Sequence, residues 1–212
     1  FLKMIGEESL PPGWVNRLKG MKPSFSYFIN YLGVEGQLDL PCSNNEVFPQ
    51  YDLGKEYRFL EEGYIAPSPS YYLLAPSLVN PSHAPDGHST VCLSYKAPYR
   101  LQGGWDAGAK EVLGEQLISQ AEEMVPDLRR RVVLNISASP VTIERMTGNR
   151  CGAAYGWAQI PRQAGIYRLN RVSPIDGLYL AGHWTAPGGG VAAAMASGQI
   201  TADVIVDRLY KE

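Results

Sequence analysis

Cysteine and histidine are scarce in this sequence, and neither is arranged as a metal or disulfide site. The three cysteines, at positions 42, 92 and 151, include no C-x-x-C pair. The three histidines, at positions 83, 88 and 183, also lack the spacing of metal ligands. We therefore predict neither a metal centre nor a disulfide scaffold, and a reducing compartment is the default for such a chain.

Charge of either sign is also sparse. Only 19% of the 212 residues are charged and the formal net charge is −2, so no electrostatic feature would attract nucleic acid or anionic lipid. We predict no nucleic-acid partner. With 45% hydrophobic residues, a chain of this length can bury a substantial core.

The longest segment without a formal charge runs from Gly177 to Ala202. It is long enough to cross a membrane, but Pro187, three successive glycines and several polar residues make it a poor lipid-facing helix. The pattern instead predicts a short strand at 177–181, a glycine-rich loop and a helix that starts near Val191. Backbone amides at such a helix start favour an electron-rich ligand.

Two other interpretations of this segment need to be weighed. Gly188, Gly190 and Ala193 almost form the G-x-G-x-x-A dinucleotide fingerprint, but the predicted strand ends near Ala181, several residues too early, and the sequence reaches Glu212 without a second strand. That interpretation is therefore disfavoured. A glycine-rich turn that leads into a buried packing helix remains open.

Elsewhere the periodicity predicts a sheet with helices. Alternation at 25–31 indicates a strand with an aromatic face, ended by Gly33 and Gly36. Three further strands are predicted at 71–75, 90–95 and 132–138, and the Pro/Gly turns near them favour antiparallel pairing. A helical period runs from Asp106 to Pro126. Residues 41–63 look irregular.

Glycines at 148, 152 and 156 surround Tyr155 and Trp157. Small residues beside aromatic ones indicate either tight packing or a backbone that passes close to a flat ligand. Packing is the favoured interpretation.

Four segments resemble one known family. They read PSLVNPSHAPDGHSTVCLSY at 76–95, AEEMVPDLRRRV at 121–132, SPVTIERMTGNRCGAAYG at 139–156 and SPIDGLYLAGHWTAPGGGVAAAMASGQITA at 173–202. Together they resemble the C-terminal part of the phytoene desaturase-related flavoproteins, within the flavin amine oxidase superfamily. The resemblance is strongest to its carotenoid isomerase and retinol saturase branch.

This resemblance implies an α+β chain cut from a larger two-domain α/β flavoprotein. Residues 1–138 would be part of a substrate-binding domain, with an antiparallel or mixed sheet and helices. Residues 139–212 would be the C-terminal part of an FAD-binding domain, including its strand–loop–helix. The chain opens with Phe-Leu-Lys, and we expect it to be a piece of a longer protein whose N-terminal FAD-binding segment is its missing partner.

The resemblance also implies which residues hold FAD. Gly182 and His183 would lie near the pyrophosphate and ribityl chain, and Gly189, Gly190 and Val191 would offer backbone amides to the flavin pyrimidine edge. Pro187 lies in the same turn and completes the predicted set. Related proteins often carry an acidic residue at the position of His183, so its role as a base or as a hydrogen-bonding neighbour stays open. No catalytic side chain is assigned.

By the same resemblance, the parent protein would be an FAD-dependent oxidoreductase acting on a long apolar polyene. Desaturation, saturation and cis–trans isomerisation are all open, and we expect the fragment alone to be inactive. The aromatic strand at 25–31 and residues 71–74 would line the substrate tunnel or form ordinary sheet core. An amine oxidase-like enzyme and a non-catalytic apolar-ligand module are the alternatives. Location in the cytoplasm or at an intracellular membrane surface, peripheral membrane contact and a homo-oligomer are compatible with the sequence.

Overall fold

A computed structural model describes residues 2–210, which form two compact units. The first unit combines the N-terminal segment up to Ser24 with the segment from Ala153 onwards. The second unit runs from Phe25 to Gly152.

The second unit is built on one sheet of five strands. These are β1 (Ser26–Glu35), β2 (Asn44–Val47), β3 (Tyr71–Leu74), β4 (His88–Ala97) and β5 (Val132–Ala138). Their order is β2-β3-β4-β1-β5, and every neighbouring pair is antiparallel. The four strands predicted at 25–31, 71–75, 90–95 and 132–138, and their antiparallel pairing, are thereby confirmed.

Four helices accompany this sheet: α3 (Leu53–Glu62), α4 (Ala107–Ala121), α5 (Leu128–Arg131) and α6 (Pro140–Thr147). The first unit contains α1 (Leu2–Ile5), α2 (Pro12–Gly20) and α7 (Val191–Tyr210). The carboxylate of Asp106 accepts a hydrogen bond from the Ala109 amide at 2.7 Å and so caps α4. The predicted helix at 106–126 therefore starts where expected, but it ends at Ala121.

One face of the sheet, the core face, packs against α4. It presents side chains that are at most 3% exposed, namely Phe28, Leu32, Val34, Leu73, Val91, Leu93 and Tyr95. From α4, Leu117, Ile118 and Ala121 complete the same cluster. Burial of this apolar area is the main source of stability for the unit.

One polar side chain lies inside that core. Asn30 is fully buried in β1, where its amide donates to the Gly114 carbonyl of α4 at 3.1 Å and its oxygen accepts from the Ser137 hydroxyl at 2.8 Å. Because both bonds are made, the buried amide costs little and fixes α4 against β1 and β5.

The opposite face of the sheet, the outer face, is largely apolar and partly open. The strand register places on it Tyr27, Ile29, Tyr31, Tyr72, Leu74, Cys92, Leu134 and Ile136. Tyr31, Leu134 and Ile136 are 48–55% exposed. The aromatic face predicted for residues 25–31 is therefore not ordinary core, because the buried side chains of β1 point the other way.

Helix α3 covers one end of this outer face. The Lys96 ammonium lies 5.8 Å from the centre of the Tyr57 ring, and the Phe25 and Tyr57 rings are 6.1 Å apart. Glu56 and Lys96 are both buried there, and the Lys96 Nζ lies 3.8 Å from the Glu56 Oε1. The outer face is thus closed at the Lys96 end and open at the Tyr31 end.

Three sequence expectations need correction. Residues 41–63 are not irregular, because they contain β2 and α3. Gly33 does not end β1, and instead the register to β5 shifts between Gly33 and Val34. The predicted strand at 177–181 is reduced to a single antiparallel bridge between Tyr179 and Val172.

The first unit is held by its own smaller core. Leu18, Met21, Trp157 and Leu169 are buried together, and Trp14, Leu180 and Trp184 pack around them. Residues 22–24 run antiparallel to residues 156–158: the Ser24 amide donates to the Gly156 carbonyl at 2.8 Å, and the Ala158 amide donates to the Lys22 carbonyl at 2.9 Å.

Within residues 2–210, no helix is long and apolar enough to cross a membrane. No three His, Cys, Asp or Glu side chains in that range are grouped in a way that could hold a metal ion.

Asn30→Ala tests the polar link inside the core. The substitution leaves the Gly114 carbonyl and the Ser137 hydroxyl without their partner, so we expect a loss of about 2 kcal/mol in the free energy of unfolding, measured by urea denaturation. Asn135→Ala, at an exposed position of β5, is the control and should change stability by less than about 0.5 kcal/mol. Equal effects would show that the buried amide is not a structural link.

Candidate functional site

The C-terminal turn, residues 182–190, leads directly into α7 and carries five of the six predicted site residues. It lies against the aromatic loop, residues 153–159. A Cβ on Gly156 would stand 2.6 Å from the His183 carbonyl oxygen, and a Cβ on Gly189 would overlap Tyr155. The two backbones therefore interlock through glycine contacts, which confirms the packing interpretation of the Gly/aromatic segment.

The same packing explains why glycine occupies positions 188 and 189 of the turn. A Cβ on Gly188 would lie 2.5 Å from the Gln159 side chain, so protein atoms fill the space at both Gly188 and Gly189. Their small size serves the contact with the aromatic loop.

Gly182 and Gly190 are different, because the space beside them is open. A Cβ on either residue would meet no atom within 4 Å. Their φ angles are +102° and +99°, a region that residues with a side chain rarely adopt. Here glycine is required by the backbone conformation, and the open side is accessible to another molecule.

The amides next to Gly190 are available as donors. The first backbone bond of α7 runs from Ala194 to the Gly190 carbonyl at 2.9 Å. Within residues 2–210, the N–H groups of Gly189, Gly190 and Val191 have no protein acceptor. Together with the positive end of the helix dipole, they form a group of donors suited to an electron-rich edge.

Polar side chains attach the turn to α7. The Thr185 hydroxyl lies 2.9 Å from the Ser197 hydroxyl, and the Ser197 hydroxyl also accepts a bond from the Gly182 amide at 3.1 Å. One turn of helix further, the Thr201 hydroxyl donates to the Ser197 carbonyl at 2.7 Å and also lies 3.3 Å from the Leu180 carbonyl. The Gly182 amide is thus already engaged within the protein. The Ser/Thr pair at i and i+4, in the half of the helix that carries no charge, is the sequence signal that could have revealed this attachment.

His183 connects the turn to the aromatic loop. Partial burial lowers the pKa of its imidazole, and the nearby Arg168 charge lowers that pKa further, against a hydrogen bond to the Ala154 backbone that raises it. The ring therefore stays neutral at pH 7 and stands perpendicular to the Trp184 ring at 5.5 Å. Pro187 is exposed at the tip of the turn.

Sequence reasoning missed Arg168. Its guanidinium is buried below the turn, where it donates to carbonyl oxygens of both the aromatic loop and the C-terminal turn. Those acceptors lie 11 to 17 positions away along the chain, so no local pattern reveals them.

The turn, its free amides and the helix that follows lie within a segment that matches a known family. Residues 60–206 match the flavin containing amine oxidoreductases. The chain belongs to this family. A flavin is the cofactor of the family, which confirms the FAD prediction at that level.

Relatives of known activity agree with the resemblance to phytoene desaturase-related flavoproteins. The chain is 32% identical over 184 residues to a carotenoid 3,4-desaturase of Haloarcula japonica, covering 86% of the chain and 37% of the relative. It is 27% identical over 190 residues to a 4,4'-diaponeurosporene oxygenase of Staphylococcus haemolyticus, covering 88% and 38%. A 4,4'-diapophytoene desaturase of Staphylococcus aureus is 25% identical over 198 residues, covering 90% and 39%. The chain therefore spans less than two fifths of the length of each of these relatives.

Gly156→Ala tests the interlock between the two segments. Gly165→Ala is the matched control, because both glycines have positive φ but a Cβ on Gly165 would meet nothing within 4 Å. We expect Gly165→Ala to cost only backbone strain, about 1–2 kcal/mol. Gly156→Ala should cost clearly more, since the new methyl group collides with the backbone at His183.

The comparison is made by urea unfolding, with hydrogen exchange of the Thr185 and Ala186 amides as a local readout. Faster exchange of both amides is expected only in Gly156→Ala. Equal destabilisation by the two substitutions would mean that the aromatic loop does not hold the turn.

Proposed function

We propose that this chain is the C-terminal part of an FAD-dependent oxidoreductase that acts on a long apolar polyene of the carotenoid or retinoid type. The observation that carries the proposal is the set of free amides at the start of α7, beside the open position at Gly190. Desaturation is the favoured reaction, because two of the relatives named above are carotenoid desaturases. Saturation and cis–trans isomerisation of a polyene at the same flavin site remain the alternatives.

In this proposal, residues 1–138 belong to a substrate-binding domain and residues 139–212 to an FAD-binding domain. The remaining part of the flavin site comes from an N-terminal segment of the same protein. Helix α7 supports this partner, because Val191, Met195, Val206 and Leu209 are 52–80% exposed while its buried positions are Ser197 and Thr201. An exposed apolar face of this kind favours a covering segment, and the short span relative to the relatives leaves length for one.

The residues of the C-terminal turn fit a flavin. Gly189, Gly190 and Val191 would offer N–H donors to its pyrimidine edge, and Gly182, His183 and Pro187 would border the rest of the cofactor. No atom lies within 4 Å of the position that a Cβ on Gly190 would occupy, so that side is open for a ligand. When bound, flavin supplies the two-electron redox step. The protein contributes fixed donors, because the turn is already held by the aromatic loop and by α7.

The outer face of the sheet is the proposed wall of the substrate site. A polyene offers no polar group to most of its length, so a protein recognises it by apolar and aromatic surface. Tyr31 and Ile136 provide such a surface at the open end, while the buried Glu56–Lys96 pair marks the closed end. The strand at 25–31 and residues Tyr72 and Leu74 would then form one side of the tunnel.

Val191→Asp tests the flavin position in the whole natural polypeptide. Val191 is 80% exposed at the first position of α7, where an acid favours the helix by about 0.3–1 kcal/mol. We therefore expect unchanged or slightly higher thermal stability. The same carboxylate should repel the electron-rich edge of the cofactor and weaken flavin binding about tenfold or more, or ~1.4 kcal/mol, measured by the visible flavin absorbance that the purified protein retains.

Val191→Asn is the control, because it has nearly the same shape as aspartate without its charge, and it should retain flavin. If the aspartate variant retains flavin as well as the asparagine variant does, the cofactor does not lie at the start of α7. A whole protein without any flavin absorbance would contradict the oxidoreductase proposal and favour the apolar-ligand module.

Ile136→Lys tests the substrate wall. Ile136 is 55% exposed on the outer face, so the substitution should leave the melting temperature nearly unchanged while placing a charge where the polyene would lie. We expect KM for a carotenoid substrate to rise about tenfold or more, measured by steady-state turnover. Asn135→Lys adds the same charge at an exposed position of the same strand, on the side of the core face. Equal effects of the two substitutions would contradict the assignment.

A further inference from the structure

Arg168 is a buried cation with an unusual set of partners. Its side chain belongs to a residue only 2% exposed, and its guanidinium donates to four backbone carbonyls. Two belong to the aromatic loop, Tyr155 at 2.9 Å and Trp157 at 2.8 Å. The other two belong to the C-terminal turn, His183 at 2.5 Å and Thr185 at 3.3 Å.

No carboxylate compensates this charge. Within residues 2–210, none of the ion pairs includes Arg168. Burial lowers the pKa of the guanidinium, but an arginine stays protonated in a protein. A buried charge without an opposite charge is costly, and carbonyl dipoles offset only part of the cost.

The Arg168 guanidinium lies close to the part of the turn that carries the free amides. The guanidinium carbon lies 3.5 Å from the place that a Cβ on Gly188 would occupy. Gly188 directly precedes Gly189 and Gly190, whose amides are free. Arg168 thus lies directly below the turn and is held there by the backbone of that same turn.

We infer that Arg168 is a positioning residue for the flavin, one that also favours its reduction: it fixes the turn through four carbonyls and places an uncompensated positive charge below the amides that face the cofactor. The inference rests on the proposed flavoenzyme function. Flavin gains negative charge when it is reduced, so a nearby buried cation should stabilise the reduced form over the oxidised one. The fork of five donors explains why arginine, rather than lysine, occupies the position.

The experiment separates the charge of Arg168 from its bonding geometry. In the whole natural polypeptide with FAD bound, Arg168→Met removes both, Arg168→Lys keeps the charge but not the fork, and Thr185→Val loosens the turn without changing any charge. The readouts are the midpoint potential of the bound flavin and the thermal stability of each variant.

We expect Arg168→Met to lower the preference for reduced over oxidised flavin at least tenfold, which corresponds to about 30 mV for a two-electron couple. Arg168→Lys should restore most of the potential while remaining less stable than the natural protein. Thr185→Val should lose stability and keep its potential. If Arg168→Met retains no cofactor, the apoprotein can be titrated with oxidised and with reduced FAD. The ratio of the two dissociation constants then reports the same preference for reduced flavin as the midpoint potential does.

Three results would overturn the inference. One is an unchanged potential in Arg168→Met, which would make Arg168 purely structural. Another is a potential in Thr185→Val that falls as far as in Arg168→Met, which would assign the effect to loop geometry. The third, which decides the matter if Arg168→Met does not fold, is a potential in Arg168→Lys that falls by about 30 mV or more, because the effect would then belong to bonding geometry and not to charge. A natural protein that binds no flavin would instead refute the proposed function itself.

Discussion

Close backbone contact between the aromatic loop and the C-terminal turn is the constraint on which the first unit depends. The chain at Gly156 passes so near the His183 carbonyl that a single methyl group would push the two segments apart. Carbonyl groups of both segments accept hydrogen bonds from the buried Arg168 guanidinium, which links the two segments. With their other side held in this way, the amides at Gly189 and Gly190 need no rearrangement to meet a ligand, and preorganised donors of this kind act most strongly.

A different constraint organises the second unit. Its sheet has one face that needs burial and one that tolerates exposure, and Asn30 lies on the first. Its two hydrogen bonds link β1, β5 and α4, so the core face cannot slide against its helix without leaving buried polar atoms unpaired. The outer face carries no such link at its Tyr31 end. In the proposed function, this rigid sheet with one open apolar face would support the long apolar substrate.

Helix α7 reverses the usual arrangement of a surface helix. Small polar residues, Ser197 and Thr201, face the rest of the unit, while Val191, Met195 and Leu209 are exposed. Hydroxyl groups suit the inner positions because the Ser197 hydroxyl accepts from the Gly182 amide, and the Thr201 hydroxyl donates to the Ser197 carbonyl within the helix. The exposed apolar residues are then understandable in a family whose members extend well beyond this segment.

The sequence by itself determined four of the five strands of the sheet, the start of α4 at its Asp106 cap, the start of α7 and the family. Each rests on a local signal: period-two alternation, a capping residue, a glycine run before a helix, or a contiguous motif. Only the tertiary structure decided the rest. It showed β2 and α3 in a stretch without clear periodicity, reduced the strand at 177–181 to one bridge, and assigned Gly189 to packing instead of ligand access. It also brought Arg168 to carbonyls 11 to 17 residues away, because a guanidinium chooses acceptors by distance in space, and spacing along the chain carries no record of that.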